Sequence, residues 1–111
     1  MTTNTINSLK LSSRKTTPIY DAQERSAACE TTCEGRYGEK KFAGVVRFTI
    51  TRAQDKGYMM QLGFYCMKPR KPFFWLPAVT TGILNRLREE FPEYFETVER
   101  ELIETLETRS N

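Results

Sequence analysis

From Phe42 to Ile50 the side chains alternate: Phe42, Val46, Phe48 and Ile50 share one side, and Val45, Arg47, Thr49 and Thr51 take the other. A period of two marks a strand resting on a core. Asp55-Lys56-Gly57 then supplies turn chemistry. Tyr58–Met67 alternates again, with Tyr58, Met60, Leu62, Phe64 and Cys66 on one side and Met59, Gln61, Gly63, Tyr65 and Met67 on the other. Together the two runs predict a β-hairpin over about residues 42–67. Pro69 and Pro72 end it, because proline cannot donate to a ladder.

Beyond them the period lengthens. Val79, Ile83, Leu84, Leu87 and Phe91 fall on one helical stripe, and Phe95, Val98, Leu102 and Leu106 on a second, widened by Tyr94 and Ile103. Pro92 divides helices of about 78–91 and 92–107, since the residue before a proline avoids the α region. Arg86 and Arg88 suit a helix C-terminus, and Glu93 suits an N-terminus. The stripe stays in phase across Pro92, so one kinked helix is the alternative.

The N-terminal part is less patterned. Residues 1–16 are polar, with only Ile6, Leu9 and Leu11 as sizeable apolar groups, so a disordered arm is expected. Removing residues 1–15 is then expected to leave the fold intact. Ser26–Tyr37 reads either as an irregular strand or as a loop with a helical turn. The fold class is α+β: residues 17–111 form a single domain in which an antiparallel sheet of two to four strands packs against the two helices. Its expected core is Phe42, Val46, Phe48, Ile50, Met60, Leu62, Phe64, Ile83, Leu84, Leu87, Phe95, Val98 and Leu102.

Composition narrows the functional classes. At 111 residues and 39% hydrophobic, the chain can build one modest core, without a deep walled active site beside it. No apolar run approaches the ~20 residues of a membrane span, and the N-terminus has no signal-peptide h-region. A cytoplasmic protein is expected, with Cys29, Cys33 and Cys66 as reduced thiols. The Cys29–Cys33 spacing could seat two zinc ligands, but a structural site wants four, and the chain has no histidine. No metal or cofactor is expected.

The net charge of +3 conceals a split. Residues 1–88 carry fifteen Lys and Arg against six Asp and Glu, whereas residues 89–111 carry two Arg against eight Glu. A basic body with interleaved aromatics fits single-stranded nucleic acid, where cations track phosphates and rings stack on bases. On that reading Arg47, Arg52, Lys68, Arg70 and Lys71 contact phosphates while Tyr65 and Trp75 stack. The order of strand, basic loop and helix over roughly 42–91 is similar, in architecture alone, to the small single-strand binders of the transcriptional coactivator and Pur-repeat kinds. Against this, Phe73, Phe74 and Trp75 fit better as a plug between sheet and helix than as rings that stack on bases.

A protein partner fits too. Met59, Tyr65 and Met67 make the second strand apolar on both faces, which marks either a covered sheet or a contact surface. The expected function is a non-enzymatic binding or regulatory protein working through protein–protein contacts, as inhibitor, adaptor or homodimer. Single-stranded nucleic-acid binding is the alternative. Catalysis is not expected: there is no histidine for general-base work, no glycine-rich phosphate loop and no nucleophile motif. An acidic helix closing over the basic body of its own chain would account for the charge split with no ligand at all.

Overall fold

The computed structural model describes residues 6–37, 39–53, 57–68 and 77–109. Five strands precede two helices: β1 (Ile6–Lys15), β2 (Ile19–Asp21), β3 (Ser26–Tyr37), β4 (Lys40–Arg52), β5 (Tyr58–Lys68), α1 (Pro77–Glu90) and α2 (Pro92–Arg109). The architecture is α+β, as the hydrophobic pattern implies. All pairings are antiparallel, in the order β1-β3-β4-β5, with β2 also beside β3.

The expected hairpin is β4–β5. Its register sets Val46 against Phe64, Phe48 against Leu62 and Ile50 against Met60, so the apolar alternation of both strands falls on one face. Gly57 closes the turn with φ of 87°, a conformation open to glycine, and its carbonyl accepts from the Ala53 N–H at 3.2 Å.

Both helices lie on that apolar face. Phe95, Val98, Leu102 and Leu106 of α2 and Ile83 and Leu87 of α1 are buried against Val46, Phe48, Ile50 and Phe64. Met60, Leu62 and Leu84 are only partly buried at its margin. Phe48 meets Phe95 edge-on at 5.2 Å between ring centres, and Phe42 meets Phe64 at 5.8 Å. The helices are separate elements, not one. Phe91 interrupts them while its N–H still donates to Leu87, and Pro92 opens α2, where its missing donor costs nothing.

Two expectations are corrected. The N-terminal arm is not unfolded over residues 6–15: these form β1, pairing with β3 from Ile6 opposite Tyr37 to Lys15 opposite Thr31. Leu9 is buried and Leu11 packs on the core. Lys15 forms an ion pair with Glu101 of α2. A weakly apolar segment is ordered because β3 offers it a full row of backbone partners, a gain that composition does not register. Among the described residues the sheet accordingly has five strands, not two to four.

Ser26–Tyr37 is a strand, and its inward side is built from small groups: Ala27, Cys29, Thr31 and Cys33. Small residues let α2 approach closely. The buried Thr31 hydroxyl donates to the Arg14 carbonyl at 2.6 Å and lies 3.0 Å from that of Ser12, where β1 bulges. Among the described residues, no helix is long and apolar enough to cross a membrane.

Candidate functional site: the uncovered sheet face

One side of the sheet carries the helices. The register fixes what stands on the other, because directly opposed residues share a face. Across β3 and β4 the outward pairs are Ala28 with Thr49, Glu30 with Arg47, Thr32 with Val45, Glu34 with Ala43 and Arg36 with Lys41. β5 adds Met59, Gln61, Gly63 and Tyr65, opposite Thr51, Thr49, Arg47 and Val45. β1 adds Ser8 and Lys10, opposite Arg36 and Glu34, and β2 adds Ile19 opposite Ala28. No described element covers this face.

Tyr65 is 57% exposed and leans along its own strand. Its hydroxyl lies 3.3 Å from where a Cβ on Gly63 would stand, so the missing side chain makes room for the ring. The cross-strand partner of Gly63 is Arg47. Arg47 itself is held by Glu30 at 3.1 Å, an exposed pair that solvent screens. At one end of the face, Lys10, Arg36 and Lys41 come from three adjacent strands and line a hollow of about 420 Å³ with Ser8 and Glu34. A second hollow, about 310 Å³, opens where β1 ends, between Arg14, Glu30, Thr32 and Val45.

The acidic helix does not close over this surface. α2 packs on the opposite side, and its carboxylates meet the sheet at the margins, Glu101 with Lys15 and Glu107 accepting from the Tyr58 hydroxyl at 2.9 Å. That hydrogen bond raises the Tyr58 pKa.

The residues expected to act together are divided. Arg47 and Tyr65 share the uncovered face, as does Met59 at 52% exposure. Arg52 follows the parity of Ile50 and lies at the far end of β4 opposite Tyr58, so it is off this face. Met67 and Lys68 belong to β5, and the register sets Lys68 opposite Ala43; their side chains, with Arg70, Lys71 and Trp75 altogether, lie outside the described residues. Sequence reading missed Lys10, Arg14, Arg36 and Lys41 as surface partners. Lys10 and Arg14 were hidden by the expected disorder, and Arg36 by the ambiguity of β3.

The two described thiols offer little reactivity. Burial pushes Cys33 up to about 12 and Cys29 up to about 11, so both are protonated near neutrality. Among the described residues, no group of three or more Cys, Asp or Glu side chains is placed to hold a metal ion. The uncovered face is broad and shallow. No protein-family model matches the chain, and neither the curated proteins nor the solved structures furnish a significant match.

Proposed function

We propose that this is a non-enzymatic, cytoplasmic binding protein whose uncovered sheet face receives single-stranded nucleic acid. One observation carries the reading: five cations from three strands, Lys10, Arg14, Arg36, Lys41 and Arg47, gather on the same side as the exposed Tyr65, while the acidic helix sits on the opposite side. A flat strip with cations beside an available ring suits an extended backbone with unstacked bases. A duplex has its bases already stacked and gains nothing from Tyr65.

The test is fluorescence anisotropy with labelled single-stranded and double-stranded oligonucleotides at low and physiological salt. Single-strand binding in the micromolar range or tighter, weakening steeply with salt, is the expected result. Flat anisotropy at low salt overturns the reading.

A protein partner on the same face is the second reading, favoured by Ile19 at 71% and Met59 at 52% exposure. Glu30 and Glu34 also temper the positive charge there. Such binding would persist in salt that abolishes phosphate contacts.

A further inference from the structure

β5 ends the sheet. Its inner edge pairs with β4, and no described strand pairs with its outer edge, which therefore presents a row of backbone donors and acceptors. Natural edges are usually blunted by lysine, proline, bulges or interruption. The opposite edge follows that rule: it is broken between β1 and β2 at Thr16–Pro18 and carries Lys10, Arg14 and Lys15. β5 does not. It has no proline, no charged residue before Lys68, and a register irregularity only at its C-terminal end.

The side chains on β5 are arranged symmetrically about Leu62, one residue before the middle of the strand. Met59 and Tyr65, the large exposed apolar groups among the described side chains of the strand, stand three residues either side of Leu62 on the uncovered face. Met60 and Phe64 stand two residues either side of it on the helix face. A two-fold axis normal to the sheet and midway between the Leu62 residues of two copies therefore sets each Met59 against the partner copy's tyrosine and each Met60 against its Phe64. Gln61 falls opposite the glycine. Methionine against an aromatic ring is a favourable cross-strand pair, and no like charges meet. Beside this edge, a groove of about 420 Å³ between Met60 and Phe95 is rimmed by Arg88, Glu96 and Glu99. The rim bears both signs, one cation against two carboxylates, so Arg88 offsets part of the repulsion between two copies.

We infer that two copies of the chain pair antiparallel through their β5 edges, centred on Leu62, into one continuous sheet. Both uncovered faces then lie on the same side, so the dimer doubles the length of the binding strip. The inference rests on the edge and its symmetry, not on the identity of any ligand.

Sedimentation velocity over a micromolar concentration series tests it, with the Met59→Lys/Tyr65→Lys and Met59→Glu/Tyr65→Glu double variants measured alone and mixed. Both sites are exposed, and circular dichroism checks that the variants keep their fold. The wild-type chain is expected to sediment as a dimer, each variant alone as a monomer, and the mixture as a heterodimer, because every Lys then opposes a Glu. A wild-type chain that stays monomeric at 100 µM (on the order of a weak transient contact) overturns the inference. So does a dimer that neither variant disturbs, since its interface then lies elsewhere.

Discussion

The Phe64 ring lies over Gly44, so close that a Cβ on that glycine would stand 2.6 Å from the ring's Cζ and 2.5 Å from the Tyr65 carbonyl oxygen. The glycine lets Phe64 reach across β4 to meet Phe42 edge-on. One obstacle is backbone and cannot swing away, so Gly44→Ala must shift the β4–β5 pairing. The substitution is expected to destabilise the fold by about 1–3 kcal/mol through overpacking, read as a lower urea midpoint at unchanged slope.

β1 makes a second case. Leu9 is 8% exposed and sits opposite Gly35, inside the core cluster. Leu9→Ala is expected to cost about 2–3 kcal/mol, below the upper range for core leucines because the strand is at an edge. Deleting residues 1–15 removes this contact, the Lys15–Glu101 pair and the backbone partners of β3 together. A large loss of thermal stability is therefore expected; an unchanged melting temperature would show that β1 contributes nothing.

How much of this was legible depends on how each element is held. β4, β5 and the helices read directly, because Phe48, Ile50, Leu87 and Leu102 are large and recur at the period of their element. β3 was ambiguous because it packs with Ala27, Cys29 and Cys33, which look neither apolar enough for a core nor polar enough for a loop. β1 was lost because its order comes from hydrogen bonds to a distant strand. The surface suffered from both gaps. Arg47 and Tyr65 could be named from β4 and β5 alone, whereas placing Lys10 and Arg36 beside Lys41 required the register of all three strands.

The buried thiols give the fold an alkaline limit. Cys29 and Cys33 titrate near 11 and 12 in the folded state, with burial as the leading cause, against an ordinary value of 9.0. The unfolded chain therefore releases protons that the folded chain retains. This contribution to stability is complete below pH 9 and is lost as pH rises toward 11–12. The Tyr58 hydroxyl, donating to Glu107, shifts in the same direction. Urea midpoints should fall progressively above pH 9, and a Cys29→Ala/Cys33→Ala variant should show a shallower decline than the wild type.

Rings and cations on the uncovered face should fail differently. Tyr65→Ala is expected to weaken single-strand binding by about 1–3 kcal/mol while leaving its salt dependence unchanged, since stacking releases no counterions. A Lys10→Ala/Arg36→Ala/Lys41→Ala variant should instead flatten the dependence of log affinity on log salt by about 2, at roughly 0.7 per lost phosphate contact. Equal loss of slope in both variants would mean that Tyr65 acts only by holding the face in shape.

Glu30 gives the sharpest contrast, because here a substitution should improve binding. Its carboxylate holds Arg47 at 3.1 Å on the uncovered face and competes with any phosphate for that guanidinium. Glu30→Gln keeps the size and hydrogen-bonding capacity of the side chain but removes the competing charge. With the pair 47% and 37% exposed at the side chain, the cost in stability should stay within about 1 kcal/mol. Single-strand affinity should rise, and the salt slope should steepen by about 0.7 as Arg47 engages one more phosphate. Glu30→Gln combined with Arg47→Ala should lose both effects. If Glu30→Gln alone leaves affinity and slope unchanged, Arg47 does not meet the nucleic acid, and the contact surface is confined to the Lys10, Arg36 and Lys41 end.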